Sequence, residues 1–253
     1  MNVEICCGDI ESLAEAKRGG ATRVELCVAL TEGGITPPLS MIRKARELGF
    51  REINVLIRPR GGDFCYSEDE VEAMIFDIIH SIRDGATGIV TGILKPDGEI
   101  DHQAMSRLMK VIKEGSERAG RKISITFHRA FDMVSNPETA LQSAIDLGCD
   151  TILTSGLAEN AEEGIPMLRK LVELSDNQIK IMAGCGVTPA NAKKIIESTG
   201  VDLIHSSAKK TKSGRMNFFR HNVAMGNKDR DEFSMSVTDK DIVRNLIDEL
   251  HIK

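Results

Sequence analysis

Two short segments near the N-terminus each carry a glutamate two residues before a cysteine. They read Val3-Glu4-Ile5-Cys6 and Val24-Glu25-Leu26-Cys27. If both are β-strands, alternation points the glutamate and cysteine to one face and the apolar residues to the other. Neighbouring strands lie about 4.8 Å apart, so two thiolates at matching heights could hold one soft ion in near-linear fashion. Copper(I) bound by Cys6 and Cys27 is one interpretation, and the alternative is that both cysteines are only small buried hydrophobes.

Charged residues on the same expected face suggest acid/base chemistry. Alternation points Arg58, at the end of a third apolar run, and His128, at the end of a fifth, towards the side that holds Glu25. A histidine and a carboxylate beside an arginine are what proton transfer on a small, possibly phosphorylated anion requires. In this interpretation Arg58 holds the anion, His128 transfers the proton and Glu25 orients or assists. The alternative is an internal ion-pair network that only stabilises the fold.

Loop residues would complete such a catalytic site. Arg60 and Asp63 follow the third apolar run, and Asp132 follows the fifth. Arg60 would bind the anion together with Arg58, and Asp63 could take the role given to Glu25.

A glycine-rich turn predicts an anion site elsewhere on the same rim. The segment Gly184-Cys185-Gly186-Val187-Thr188-Pro189 leads into a helix, and Ser206 and Ser207 follow the next apolar run. Glycines let backbone N–H groups approach a ligand, and a helix N-terminus attracts anions. We therefore expect Gly184, Gly186, Ser206 and Ser207 to bind a phosphate or carboxylate, although such turns also occur without a ligand.

The elements that must position these residues are repeated along the chain. Five times a glycine ends a helical stretch and a short β-branched run follows, at glycines 20, 49, 85, 148 and 200. The apolar runs predict eight strands near residues 3–6, 23–27, 52–57, 88–91, 124–128, 151–154, 179–183 and 203–206. Eight such units in roughly 250 residues match an α/β fold, the closed (β/α)8 TIM barrel, whose chemistry lies at the strand C-terminal ends.

Helix signals and loop lengths refine this prediction. The longest helices are expected at 67–83, with Ser67 and Glu70 forming a capping box, and at 101–118, with Asp101 as N-cap. Two segments interrupt the regular alternation of strands and helices. They are the loop 58–66, and a stretch at 208–237 before a last helix from about Thr238 to His251. Long loops of this kind are usually functional or disordered, and we expect both to form lids over the catalytic face.

Composition bounds the class of protein. The chain has 253 residues, of which 41% are hydrophobic and 28% charged, and it carries neither an 18-residue apolar run nor a signal-peptide pattern. We expect a soluble, cytoplasmic protein with a single domain over residues 1–253. A net charge of −5, one tyrosine and no tryptophan argue against nucleic-acid binding, and no basic amphipathic anchor predicts membrane binding. Because barrels commonly self-associate, a homo-oligomer is expected.

The six cysteines are expected to be reduced thiols. None forms a Cys-x-x-Cys pair, so any metal site must collect its ligands from separate strands. Alternation points Cys7 away from the barrel interior, and Cys149 lies at the barrel bottom, so both are interpreted as structural. Cys65, Met216, Met225 and Met235 could assist a soft site, but they show no Met-x-x-Met spacing.

Six motifs occur in an order that resembles the CutC family of copper homeostasis proteins. They are Glu-Ile-Cys-Cys, Arg-Val-Glu-Leu-Cys, Ile-Arg-Pro-Arg-Gly-Gly-Asp-Phe, Thr-Phe-His-Arg-Ala-Phe-Asp, Leu-Thr-Ser-Gly and His-Ser-Ser-Ala. The resemblance runs from residue 3 to at least residues 224–226. It implies a cytoplasmic TIM barrel associated with copper tolerance, with a copper(I) site that uses Cys6 and Cys27. Cys185 departs from the small residue expected between the two glycines, which either hinders ligand approach there or adds a third thiol.

Three hypotheses therefore remain open on the sequence. The first is a copper(I)-binding protein, with a copper ion as partner. The second is an enzyme that acts on a small anionic metabolite, and the third is a scaffold with an inert barrel interior.

Overall fold

Eight parallel strands form a closed barrel in the computed structural model, which describes residues 2–220, 222–223 and 231–251. The strands pair in chain order, and β8 closes the barrel against β1. They are β1 (Asn2–Cys7), β2 (Arg23–Leu26), β3 (Glu52–Leu56), β4 (Gly88–Thr91), β5 (Ser124–Phe127), β6 (Thr151–Thr154), β7 (Lys180–Ala183) and β8 (Leu203–Ser206). This confirms the predicted (β/α)8 barrel and, within two residues at each end, all eight predicted strands.

Helices alternate with these strands and cover the outside of the barrel. They are α1 (Ile10–Arg18), α2 (Leu39–Glu47), α3 (Glu68–Asp84), α4 (His102–Ala119), α5 (Pro137–Asp146), α6 (Ile165–Ser175), α7 (Pro189–Thr199) and α8 (Lys240–His251). The predicted capping box of Ser67 and Glu70 begins α3, and Asp101 caps α4 by accepting a hydrogen bond from the Ala104 amide. Both cap predictions are confirmed.

The glycines of the helix-to-strand turns have the backbone that the repeat predicts. All five have positive φ, at positions 20, 49, 85, 148 and 200. Gly85 shows why the residue type matters there, because its φ is +113° and a Cβ would lie 2.0 Å from Cδ of Arg46. Any side chain at this turn would strain the backbone and displace the arginine.

Alternation along β1 and β2 separates two environments. Ile5, Val24 and Leu26 are fully buried in the apolar layer between barrel and helices. Glu4 and Arg23 are buried on the other face and form an ion pair inside the barrel. The predicted inward and outward faces of these strands are therefore confirmed.

The register of β1 against β2 differs from the sequence expectation. Cys6 pairs with Glu25 and Glu4 pairs with Arg23, so Cys27 lies one inward position beyond Cys6 rather than level with it. The prediction of matching heights was wrong because closing an eight-stranded barrel requires the strands to be staggered along its axis.

The stretch 208–237 is not simply a long loop. It contains a two-stranded antiparallel ribbon, β9 (Lys209–Ser213) with β10 (Ser234–Thr238), and the ribbon is held to α1 by a hydrogen bond from the Thr238 amide to Ser12 Oγ. The apolar pattern of a strand is missing in β9, since all five residues are exposed. Of the predicted lid, residues 221 and 224–230, including Met225, lie outside the described residues.

Within the part of the chain that the structure describes, no helix is both long and apolar enough to cross a bilayer.

Candidate functional site

A cavity of about 250 Å³ opens at the C-terminal ends of the strands. Its polar lining is formed by Cys6, Glu25, Cys27, Arg58, His128, Arg129, Asp132 and His205. A larger hollow, of about 770 Å³, lies near the opposite strand ends between α3 and α4, and arginines and apolar residues line it. We assign the candidate site to the smaller cavity because it contains the thiols, histidines and buried carboxylate.

Two buried thiols lie in contact at the inner end of this cavity. The sulfurs of Cys6 and Cys27 are 3.5 Å apart, and Cys6 Sγ is also 3.5 Å from Glu25 Oε1. Gly34 packs against this pair with φ of +88°, and a Cβ there would lie 3.5 Å from Cβ of Cys27. The hydrogen bond with Cys27 and burial raise the pKa of the Cys6 thiol well above its usual value.

A layer of ion pairs lies beneath the thiols and is centred on Glu4. Its carboxylate accepts hydrogen bonds from Arg23 Nε at 2.8 Å and Asn54 Nδ2 at 2.6 Å, and lies 3.0 Å from His205 Nδ1. Arg23 pairs in addition with the part-exposed Glu52. Burial alone would raise the pKa of Glu4, but Arg23 and His205 lower it to about 2. Glu4 is therefore an anion that neutralises the cations of this layer.

The pKa values of Glu25 and His205 are both raised, but for different physical reasons. Burial raises the pKa of Glu25 from 4.5 to about 7, and its Oε2 has no hydrogen-bond partner among the described residues. Burial would lower the pKa of His205, but Glu25, Cys6 and Glu4 raise it well above 6.5. His205 is thus held as a cation between two carboxyl groups.

His128 is neutral and presents one nitrogen to the cavity. Its Nδ1 accepts a hydrogen bond from the Ala130 amide at 3.2 Å, which leaves the ring proton on Nε2. Burial and the neighbouring Arg58 lower the pKa of His128 to about 3. Nε2 is buried and has no hydrogen-bond partner among the described residues.

Arg58 is held by the backbone. Nη1 donates to the carbonyls of Glu32 at 2.7 Å and Gly34 at 2.9 Å, and Nη2 donates to the Gly62 carbonyl at 2.7 Å. The guanidinium lies over the Phe64 ring, with its carbon 4.9 Å from the centroid. Nε is buried and is left without a hydrogen-bond partner in the described part of the chain.

Comparison with known proteins shows the family. A sequence profile of the CutC family matches residues 1–210. The chain belongs to the CutC family. A CutC protein of Aliivibrio fischeri is 43% identical over 239 residues, which are 94% of each chain. The human copper homeostasis protein cutC homolog is 40% identical over 245 residues, covering 96% of this chain and 87% of the human one.

A solved structure agrees with this assignment. The crystal structure of a CutC copper homeostasis protein from Streptococcus agalactiae is 31% identical and superposes with a TM-score of 0.75. The superposition covers 82% of this chain and 98% of that one. Both the resemblance and the barrel fold predicted from the sequence are thereby confirmed.

Two residues predicted for the catalytic site lie away from the cavity of this CutC family member. Arg60 donates to Glu70 Oε1 at 2.6 Å and to the Cys65 carbonyl at 2.9 Å, so it binds the start of α3. Asp63 pairs with Arg60, and its side chain is 74% exposed. Neither residue lines the cavity. Glu70 accounts for this placement, because one carboxylate oxygen caps the helix at Ser67 while the other accepts the hydrogen bond from Arg60.

The residues of the predicted anion site also lie outside the cavity lining. A Cβ on Gly184 would lie 2.6 Å from Leu153, and one on Gly186 would lie 3.1 Å from Asn160, so both glycines pack closely against neighbours. Ser206 Oγ donates to the Val187 carbonyl at 2.7 Å, and the Ser207 carbonyl accepts from Thr238 Oγ1 at 3.1 Å. Ser206 thus bonds to the Val187 backbone and Ser207 to the Thr238 side chain, and anion binding here stays a prediction.

Three of the other cysteines lie away from the thiol pair. Cys185 Sγ lies 3.3 Å from the Glu159 carbonyl, and Cys185 has φ of +77°, so the backbone keeps the left-handed form despite the side chain. Cys7 is buried in the outer apolar layer and Cys149 is buried before β6, as expected. In the part of the chain described, the cysteines that could share a metal with a third ligand are Cys6 and Cys27.

Sequence reasoning did not place His205 in this CutC site. Strand alternation along β8 nevertheless sends this side chain inward. Closure of the barrel pairs His205 with Glu4 across β8 and β1. The first and last strands of a barrel are neighbours, so reading them as a pair would have found the contact.

Replacing Glu25 with glutamine is expected to flatten the pH dependence of stability. The pKa of Glu25 is 4.5 in the unfolded chain and about 7 in the folded protein. Between these values the unfolded state loses its proton first, so this contribution to stability is fully present below pH 4.5 and is lost by about pH 7. Urea unfolding at both ends of the window should show wild type losing a few kcal/mol relative to the glutamine variant.

The exposed Asp63 offers a matched control for this experiment. Asp63→Asn makes the same carboxylate-to-amide change on a side chain that is 74% exposed, so its stability should follow wild type across the window. If the free energies of unfolding of wild type and Glu25→Gln change with pH in parallel, the raised pKa of Glu25 is contradicted.

Proposed function

We propose that this protein binds one copper(I) ion between the thiolates of Cys6 and Cys27. The observation that carries the proposal is the pair of buried sulfurs 3.5 Å apart at the inner end of an open cavity. Thiolates are the ligands that soft copper(I) selects. The family name, copper homeostasis, supports copper rather than another soft ion.

The donor set suits a small soft ion. Ligand atoms of Cys6, Glu25 and Cys27 all lie within 4.8 Å of one another, as do those of Glu4, Glu25 and His205. The sulfur separation of 3.5 Å is shorter than the roughly 4.6 Å that two metal–sulfur bonds would span in a line. A bent arrangement of the two sulfurs about the ion therefore fits better than the near-linear one expected from the sequence.

The surroundings suit copper as cargo rather than as a permanent cofactor. The ion would enter from the cavity, which opens at the strand ends, so a carrier or chelator could reach it there. We place this handling in the cytoplasm, where the glutathione pool keeps free thiols reduced.

Titration of the metal-free protein with copper(I) under anaerobic conditions tests the proposal. Competition with a copper(I) chelator should show one ion per chain, and X-ray absorption should show two sulfur ligands. Because the pKa of Cys6 is raised, binding must displace its proton at neutral pH. Affinity should therefore fall about tenfold per pH unit lowered for each proton displaced. Less than one ion per chain, or an affinity independent of pH, would contradict the proposal.

A second candidate function is acid/base catalysis on a small metabolite. The observation that favours it is that three residues lining one cavity each have a buried polar atom without a hydrogen-bond partner among the described residues: Glu25 Oε2, Arg58 Nε and His128 Nε2. Unpaired buried polar groups cost stability, and active sites retain such groups for a ligand. A metal shuttle that uses only two thiols needs none of the three. Deuterium exchange into a substrate tests this function.

A further inference from the structure

We propose that the cavity takes a small, uncharged hydroxyaldehyde or hydroxyketone, whose carbonyl oxygen accepts hydrogen bonds from His128 Nε2 and Arg58 Nε. Glu25 Oε2 would then move a proton at the neighbouring carbon. This inference rests on the second function proposed above and names its substrate class.

The two donors are fixed in type and position. The Ala130 amide occupies Nδ1 of His128, so Nε2 carries the hydrogen and can only donate. Backbone carbonyls accept both N–H groups of Arg58 Nη1 and one of Nη2, so Nε is the guanidinium nitrogen left without a partner in the described part of the chain. The Phe64 ring contacts both side chains, with its centroid 5.0 Å from that of His128 and 4.9 Å from the guanidinium carbon. Two rigid N–H donors suit one oxygen on which negative charge develops.

The charges around the cavity argue against a phosphorylated substrate. Phosphate groups are usually held by a bidentate arginine or by several N–H donors. Backbone carbonyls take three of the five N–H groups of Arg58, and Arg60 binds Glu70 away from the cavity. At the rim, Arg129 is paired with Asp132 through a 2.7 Å contact from Nε. The structure thus corrects the sequence-based expectation that Arg58 and Arg60 together hold an anion.

The size of the cavity sets the size of the ligand. Its volume of about 250 Å³ lies below the roughly 300–1,000 Å³ of pockets that take drug-sized molecules. A three- to six-carbon compound suits this space. The apolar side chains of Leu56 and Leu153 line it beside the polar groups and would contact the carbon chain.

The reaction needs no redox partner. The Glu25 carboxylate forms an O–H bond with the proton of the carbon next to the carbonyl, and the C–H bond breaks. Its electron pair forms a C=C bond, while the carbonyl π electrons move to the oxygen held by His128 and Arg58. The product is an enediolate, and the Glu25 carboxyl can exchange its new proton with solvent. Return of a solvent-derived proton to the same carbon re-forms the carbonyl and gives exchange. Isomerisation requires in addition that the hydroxyl proton of the enediolate moves to the former carbonyl oxygen before the other carbon takes the proton.

Proton NMR in D2O tests the inference on the metal-free protein. The probes are dihydroxyacetone, erythrulose, xylulose and fructose, each compared with a phosphorylated ketose of the same length and with protein-free buffer. Wild type should exchange the hydrogen next to the carbonyl of at least one unphosphorylated probe. Glu25→Gln should lower this rate at least about 100-fold, as expected for loss of a general base. Asp63→Asn, the same change outside the cavity, should retain it.

The second donor is tested in the same assay. His128→Ala should lower the rate about 100-fold or more, in line with loss of one oxyanion donor. His128→Gln, which restores an N–H group, should recover part of that loss. Circular dichroism and thermal melting identify any variant that does not fold. If His128→Ala does not fold, the comparison of Glu25→Gln with Asp63→Asn still tests the inference.

The outcomes separate the two proposals. Exchange confined to the phosphorylated probes would overturn the substrate class and leave acid/base catalysis standing. No exchange with any probe, or equal rates in wild type and Glu25→Gln, would overturn both. None of these results depends on copper binding, because the assay uses metal-free protein.

Discussion

Changing Cys6 and Cys27 together to serine is expected to abolish copper(I) binding. The two sulfurs, 3.5 Å apart, supply both soft ligands of the proposed site, and a serine hydroxyl is a hard donor that copper(I) does not select. Loss of an outer-sphere partner alone typically costs roughly 10–100-fold in metal affinity, so loss of both direct ligands should exceed that range. Chelator competition at pH 7 should detect no copper on the double variant.

The fold should survive this change. Serine is close in size to cysteine, and a hydroxyl at position 6 can donate to Glu25 Oε1 as the thiol does. Far-ultraviolet circular dichroism and the cooperativity of thermal unfolding check this directly. Each single variant should keep one sulfur and bind copper more weakly than wild type.

Cys65 supplies the matched control. It is a part-exposed cysteine in the loop after β3, and it does not line the cavity. Cys65→Ser should bind copper(I) with the affinity of wild type. Unchanged binding by the Cys6→Ser, Cys27→Ser protein, or loss of binding in Cys65→Ser, would refute the assignment of the ligands.

Replacing Glu4 with glutamine is expected to destabilise the protein by about 3–5 kcal/mol, as typically follows removal of one partner from a buried ion pair. Glu4 is fully buried, and its carboxylate contacts Arg23, Asn54 and His205. Glutamine keeps the shape but removes the carboxylate charge that pairs directly with both Arg23 and His205. Urea unfolding at pH 7 should show the loss as a lower midpoint with an unchanged slope.

The pH dependence of this effect has a defined sign. The pKa of Glu4 is lowered from 4.5 to about 2, so its contribution is fully present above pH 4.5 and is lost as the pH falls towards 2. The difference between wild type and Glu4→Gln should therefore shrink on acidification. A constant difference would show that packing, rather than charge, explains the loss.

Glu52 provides a control within the same ion-pair network. It pairs with the same arginine as Glu4, but its side chain is 43% exposed. Exposed ion pairs contribute about 0–1 kcal/mol, so Glu52→Gln should change stability by no more than that. Equal effects of the two variants would contradict the assigned difference in burial.

Local patterns along the sequence predicted most of the architecture. Apolar runs predicted the eight strands, and glycines predicted the helix-to-strand turns, because the backbone there needs positive φ. Alternation correctly placed Glu4 and Arg58 inside and Ile5 outside, since side-chain direction in a strand follows from residue parity alone. These features depend on near neighbours in the chain, which the sequence shows directly.

The ribbon of β9 and β10 shows where local patterns end. Its first strand is polar and wholly exposed, so it has no apolar alternation to reveal it. Pairing of Lys209 with Thr238, 29 residues later, defines the strand instead. Antiparallel pairing between distant segments is a tertiary contact, and single-sequence periodicity carries no information about it.

By itself, the sequence determined the barrel, its family and the presence of two inward cysteines beside a glutamate. Only the tertiary structure decided the arrangement of the site: the stagger that sets Cys6 level with Glu25, the closure that brings His205 to Glu4, and the carbonyls that occupy Arg58. The physical reason is that residue parity fixes which face a side chain takes, whereas its height and its partners depend on how eight strands close on one another.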